Sequence, residues 1–353
     1  MPNMQNKKDI TIAVTALNAI DSPGPGIAVI RGLKESDFYN VRIIGLAYEI
    51  LEPGIYMDEL VDKVYQIPYP SSGFEAMLER FRYIQENEKI DVIIPNFDAE
   101  LMTFIKLKPY LNKMGIQLLI PTKEQFEERL KGSLNKFGEK HGIKVPKSET
   151  IYQIDELEET LKEFEYPVVI KGKFYDAYIA TSSEQAREFF FKISAKWGTP
   201  IIVQKFIIGN EFNVTALGDG KGTMMGAVPM RKTFLTDKGK AWAGISIDDP
   251  KLIKMANTII TNTKWGGGLE LELMKEDKTD DLYLLEINPR FPAWIYLANG
   301  CGQNHPEMLV KIAMKEKVIP LKKYAVGKMF IRYSYDMICD LDKYEKITIH
   351  GEV

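Results

Sequence analysis

Two alternating stretches, Leu269-Glu-Leu-Glu-Leu-Met274 and Leu282-Tyr-Leu-Leu-Glu-Ile-Asn-Pro-Arg290, carry the residues best suited to chemistry. The polar run Lys275–Asp281 between them predicts a hairpin. Side chains alternate across a strand, so Glu270 and Glu272 share one face and Leu269, Leu271 and Leu273 the other. A pairing centred on Thr279 sets Glu272 opposite Glu286 and Glu270 opposite Asn288, with Leu285 and Ile287 on the leucine face. Three carboxylates and an amide crowded on one face repel each other, and a hard cation removes that cost. Oxygen donors suit Mg²⁺, which takes one or two carboxylates together with phosphate oxygens and water. Pro289 ends the pairing, and Arg290 then offers a fixed cationic fork beside the metal, suited to a phosphate or acyl phosphate. The competing reading is a solvated outer face, which alternating glutamates commonly form. The order Glu-Ile-Asn-Pro-Arg favours the metal.

The elements that must position this hairpin fall into a readable order. Over the first 125 residues short β-rich runs at 10–16, 41–46, 64–68, 91–95 and 118–120 alternate with helical patterns at 27–34 and 73–86. Strands spaced by helices predict a doubly wound parallel layer. Residues 126–141 read as one charged helix stopped by Gly142 and Pro146. A compact α+β module follows to residue 206, and from 207 to 320 longer strands of antiparallel character appear. The expected domains are therefore 1–125, 126–206, 207–320 and an extension, 321–353.

Composition narrows the classes. The chain has 353 residues with 45 % apolar and 27 % charged, and its mean hydropathy is −0.18. That is a globular profile with ample core material. No apolar run approaches the ~18–20 residues of a membrane helix, and no signal-like segment precedes the first strand. With two cysteines the expectation is a reduced, cytoplasmic protein. Balanced charge, 46 basic against 49 acidic residues, argues against a nucleic-acid partner. His141, His305 and His350 lie too far apart for a zinc spacing.

Glu286-Ile-Asn288-Pro-Arg290, preceded fourteen positions earlier by Glu272, resembles the magnesium motif of ATP-grasp enzymes, particularly the carbamoyl-phosphate-synthase-like branch. The resemblance spans roughly residues 9–315 and implies a pre-grasp layer followed by a two-lobed grasp fold. It implies ATP and Mg²⁺ as cofactors, with Mn²⁺ as a substitute, and Glu272, Glu286 and Asn288 as metal ligands. Lys136 and Lys171 resemble the two nucleotide lysines, the second ending the apolar run Tyr166-Pro-Val-Val-Ile-Lys171. Val203-Gln-Lys-Phe-Ile-Ile-Gly-Asn-Glu211 resembles the hinge. There Gln204 and the backbone of Lys205, Phe206 and Ile207 would meet adenine, and Glu211 the ribose.

The family's glycine-rich loop is replaced by Lys171-Gly-Lys-Phe-Tyr-Asp-Ala-Tyr178, so that either Lys173 and a stiffer loop close over the phosphates or the aromatics contact substrate. The polar run Met230–Gly244 stands where the family covers its acyl phosphate with a large loop, and Arg231 is its candidate catalytic cation beside Arg290.

Two weaker features complete the reading. Pro23-Gly-Pro-Gly26 after the first strand predicts a close-approach turn, since it lacks the spacing of a dinucleotide loop. Asp98 and Glu100 follow a strand end where α/β layers bind ligands, or simply charge a helix N-terminus. The resemblance implies a ligase that activates a carboxylate as an acyl phosphate and passes it to an amine. Its substrates would be small molecules or peptides, and homo-oligomerisation is left open. The alternatives are a kinase-like or nucleotide-sensing protein and, far behind, a nicotinamide oxidoreductase. A full carbamoyl phosphate synthesis is not expected of a single grasp unit.

Overall fold

The computed structural model describes residues 7–18, 23–173, 176–236, 239–334 and 336–353. It comprises two compact units, one spanning Met1–Lys123, Asn213–Glu270 and Asn288–Val353, the other Glu124–Phe212 and Leu271–Ile287.

In the first unit, β1 (Lys8–Val14), β2 (Tyr39–Ala47), β3 (Lys63–Gln66) and β4 (Val92–Ile94) form a parallel sheet in the order β3-β2-β1-β4. Helices α1 (Pro25–Lys34), α2 (Phe74–Glu88) and α3 (Asp98–Lys113) alternate with them, as the sequence pattern predicts. The turn into α1 is a close approach: a Cβ at Gly26 would lie 2.1 Å from the Thr15 carbonyl oxygen, and one at Gly24 2.4 Å from that of Ala16. Asp21 and Ser22 of that turn lie outside the described residues.

The strand expected at 118–120 does not form. Only Gln117 bridges β4, exchanging bonds with Asp91 and Ile93. The following backbone is laid against glycines instead, with a Cβ at Gly267 meeting the Leu119 oxygen at 2.6 Å.

In the second unit, α4 (Lys123–Glu128) and α5 (Leu134–His141) replace the single helix expected over 126–141. Leu130 is extended at ψ 141, and a single 3-10 turn, Lys131–Ser133, separates the helices. Gly142 caps α5 in the left-handed region at φ 67, as its residue type predicts. Strands β5 (Ser148–Ile151), β6 (Val168–Gly172), β7 (Ala177–Ala180) and β8 (Ile201–Lys205) form an antiparallel sheet in the order β5-β8-β6-β7, with α6 (Asp155–Leu161) and α7 (Ser183–Trp197). Ile151, Leu157, Val168, Ile170, Phe190 and Val203 belong to its core.

The remaining elements are β9 (Gly209–Asp219), β10 (Met224–Leu235), β11 (Ala241–Ser246), α8 (Pro250–Thr263), β12 (Gly266–Glu276), β13 (Leu282–Asn288), α9 (Tyr296–Gly300), α10 (His305–Ala313), β14 (Met329–Ile331) and α11 (Leu341–His350). The sheet order is β13-β12-β9-β10-β11-β14. The boundary between units falls within β9, β12 and β13, after Phe212, Glu270 and Ile287 respectively.

The polar run 230–244 is not mainly a loop. β10 continues to Leu235 and pairs with β11 through irregular steps around Lys232–Leu235. Among the described residues no helix is long and apolar enough to cross a membrane.

Candidate functional site

Alternation along β6 builds the first half of the site, within the second unit. Val168 and Ile170 turn into the core, which leaves Val169 and Lys171 on the opposite face. The register sets Gln204 of β8 opposite Val169, so Gln204, only 5 % exposed, shares the face of Lys171. The Lys171 ammonium is pushed below its ordinary range first by burial and then by the charge of Lys131, while Glu286, Glu272 and Glu211 pull it back. Lys131 Nζ lies 3.2 Å from Glu286 Oε2. Lys171 thus feels four charged groups of its unit, one ammonium and three carboxylates.

Around this set the second unit is tied down by its own backbone. The Lys205 N–H is committed to the Lys147 carbonyl at 2.8 Å, and Asp277 N–H to that of Ile208 at 3.0 Å. Phe206 is half-buried and Ile207 buried. On either side of the glycine-poor run β6 and β7 pair antiparallel, and Gly172 N–H reaches the Asp176 carbonyl at 3.0 Å. Lys173 is exposed there, and Phe174 and Tyr175 lie outside the described residues. Lys136 is exposed on α5.

The hairpin register departs from the expectation. Glu276 N–H bonds the Asp281 carbonyl at 2.9 Å, one residue short of a pairing centred on Thr279. Four residues then make the turn, with Asp280 at φ 59. Leu282, Leu284 and Ile287 are buried while Leu285 is half-buried, so the leucine face of β13 is not the simple alternation predicted.

Glu270 meets Asn288, the residue that the expected pairing set opposite it. It belongs to the first unit, is 7 % exposed, and accepts from Asn213, Asn288, Arg290 and Trp294. Arg290 Nε lies 3.0 Å from Asp98 Oδ1. Asp98 therefore both opens α3 and carries the arginine.

Glu100 is fully buried and caps the same helix, accepting from Thr15 Oγ1 at 2.5 Å, Asn96 N–H at 2.7 Å and Phe97 N–H at 2.9 Å, and from the Tyr48 hydroxyl. Burial pushes its carboxyl up to about 7. Arg231 is exposed on β10, opposite Ile245.

Lys131, in the second unit, and Arg332, in the first, are candidates that sequence reasoning missed. Lys131 sits in the break between α4 and α5, where a continuous helix was expected. Arg332 follows β14, its Nη1 buried without a hydrogen-bond partner. Burial lowers its pKa and the Glu270 charge opposes that. No sequence signal marked it.

Glu272, Glu286 and Asn288 offer oxygen donors only. Among the described residues no three His, Cys, Asp or Glu side chains gather into a metal cage. A divalent ion on so few carboxylates draws its other oxygens from phosphate and water, the habit of Mg²⁺. Carboxylate and amide oxygens are donors of the kind that ion takes.

Residues 198–331 match the family model described as ATP-grasp in the biosynthetic pathway with Ter operon. The carbamoyl phosphate synthase large chain of Agathobacter rectalis is 23 % identical over 278 residues, 74 % of this chain and 25 % of that protein. The chain thus spans about a quarter of the length of that relative. The fold is similar to the biotin carboxylase domain of Hydrogenobacter thermophilus 2-oxoglutarate carboxylase, a dimer in complex with MgADP, ADP and bicarbonate. There the TM-score is 0.69 at 16 % identity, covering 90 % of this chain and 73 % of that one. It is also similar to an L-amino acid ligase from Bacillus licheniformis, with TM-score 0.66 at 16 % identity, covering 89 % and 76 %.

Proposed function

We propose, from the match of residues 198–331 to an ATP-grasp family model and the likeness to carbamoyl phosphate synthase large chains, that this chain is an ATP-grasp protein and an ADP-forming ligase joining a carboxylate to an amine. The observation that carries the reading is the charge set of the second unit, where Lys171 and Lys131 stand among Glu211, Glu272 and Glu286. Two ammoniums suit the phosphates of a nucleoside triphosphate. Buried Gln204 offers an amide to its base from the same sheet face as Lys171. Glu272 and Glu286 would hold Mg²⁺, with Asn288 two residues further along the sequence, and Glu211 would take the ribose; the ion would neutralise charge on the phosphate oxygens.

The reaction needs no protein nucleophile. A substrate carboxylate oxygen attacks the γ-phosphorus, the bond to ADP breaks, and an acyl phosphate forms. The amine then attacks the acyl carbon, phosphate leaves, and the amine nitrogen loses a proton. The chain's work is to place the reactants and to offset developing charge. Arg290 and Arg231 are assigned to the acyl phosphate by the resemblance, and Arg332 offers a buried unsatisfied donor to an anionic substrate group. The reading names the substrate class as small or peptide carboxylic acids with an amine.

The test is an ADP-release screen over amino acids and short peptides, with mass spectrometry of the product. An amide formed with ADP and phosphate, only when both substrates are present, is the expected result. ADP release with no amide, or phosphate found on the carboxylate alone, would favour the kinase-like alternative. Glu286→Gln should abolish turnover while circular dichroism stays native. Lys171→Ala should weaken ATP binding about 10–100-fold, given the strength of charge-assisted contacts in a desolvated site.

A further inference from the structure

We propose that Glu270 is a positioning residue whose buried carboxylate sets the direction of both the Arg290 guanidinium and the Asn288 amide. The inference rests on the ligase reading above, which gives Arg290 and Asn288 their tasks.

Four donors converge on the one carboxylate. Oε1 accepts from Trp294 Nε1 at 2.7 Å and Asn213 Nδ2 at 3.0 Å. Oε2 accepts from Asn288 Nδ2 and Arg290 Nη1, each at 3.2 Å. Trp294 and Asn213 are buried at 6 % and 0 % exposure, so they anchor the carboxylate within the core of the first unit. The other oxygen is left for the two candidate site residues.

An amide has one donating and one accepting end. With Nδ2 turned to Glu270, the Asn288 carbonyl oxygen points the other way, and that oxygen is the atom a hard cation can use. A neutral amide at position 270 would not enforce this orientation, because it could itself donate to Asn288 and flip it. Arg290 is held at three points, Nη1 on Glu270 Oε2 at 3.2 Å and on the Phe291 carbonyl at 3.3 Å, and Nε on Asp98 Oδ1 at 3.0 Å. A guanidinium pinned at Nε and Nη1 has a fixed rotation, so its Nη2 donors keep a single direction. Removal of an outer group of this kind typically costs about 10–100-fold in activity or metal affinity while the ligands themselves remain.

The experiment compares the full-length wild type with Glu270→Gln. The variant should lose roughly 10–100-fold in kcat and need several-fold more Mg²⁺ for half-maximal turnover, with Tm shifted by only a few degrees. Combined with Arg290→Ala, it should add less than it costs alone, because the share carried through the arginine is already lost while the share carried through Asn288 remains.

A second readout does not depend on turnover. The indole ¹⁵N–H resonance of Trp294, assigned with Trp294→Phe, should move when MgADP is added to the wild type and stay still in Glu270→Gln. If Glu270→Gln does not fold, Trp294→Phe decides: it loosens one of the four donors and should raise the Mg²⁺ requirement a few-fold. Wild-type kinetics and Mg²⁺ dependence in Glu270→Gln, additive losses in the double variant, or an unchanged Mg²⁺ requirement in Trp294→Phe would each overturn the positioning. A wild type that neither binds MgADP nor turns over ATP fails the ligase reading itself, and the inference falls with it.

Discussion

A lysine ammonium taken from water holds its proton only while counter-charge reaches it, and Lys171 shows both sides of that balance. Burial and Lys131 lower its pKa, and Glu286, Glu272 and Glu211 raise it. Lys131 shares this field and pairs with Glu286, whereas Lys136 is exposed on α5. Calorimetry of ATP binding should therefore separate two alanine variants. Lys131→Ala should weaken affinity by about tenfold and Lys136→Ala by less than about twofold, which follows from the low worth of exposed charges. Equal losses would return the first lysine to position 136. Lys171, Glu211, Glu272 and Glu286 were legible because strand alternation and a short motif fix where their side chains go. Lys131 was not, because its placement depends on a helix break that charged, helix-favouring residues conceal.

At the scale of elements, close backbone approach leaves the sharpest trace. Gly26 lets α1 begin against the end of β1, and a methyl group there would meet backbone rather than a movable side chain. Gly26→Ala should cost about 2–4 kcal/mol in urea denaturation, as backbone strain in a packed turn does. Gly300→Ala, with nothing within 4 Å, should be close to neutral. The glycine turn, the parallel layer and the late hairpin could all be read from residue types alone. The hairpin's register could not, because four residues rather than five make its turn and Asp280 adopts a left-handed conformation that its sequence only permits. The absent strand at 118–120 failed for another reason. Apolar alternation shows that a segment is buried, and Ile116, Leu118 and Ile120 are. It does not show whether the partner is a strand or a run of glycines.

For the whole molecule, buried titratable groups tie folding to pH. Glu100 holds its proton up to about 7 in the folded chain against an ordinary 4.5, so the folded state binds protons that the unfolded state has released. Its contribution to stability is present at acid pH and is lost as pH rises from about 4.5 through about 7, by at most about 3 kcal/mol. His305 works in the opposite direction: burial lowers it from 6.5 to about 3, so stability is lost as pH falls below about 6.5. The two slopes oppose each other between pH 4.5 and 6.5. The quantity to measure is therefore the difference in unfolding free energy between wild type and Glu100→Gln. That difference should fall between pH 5 and 8, and a flat one would show that Glu100 ionises normally.

One further property follows from how the parallel sheet meets its surroundings. Residues 351–353 bond along β3, with Val64 and Val353 exchanging bonds at 2.7 and 3.0 Å and Gln66 N–H reaching the Gly351 carbonyl at 2.8 Å; Gln117 covers the far margin at β4. Among the described residues each rim of this layer is thus partly covered, which hinders two copies from joining by merging their parallel sheets into one.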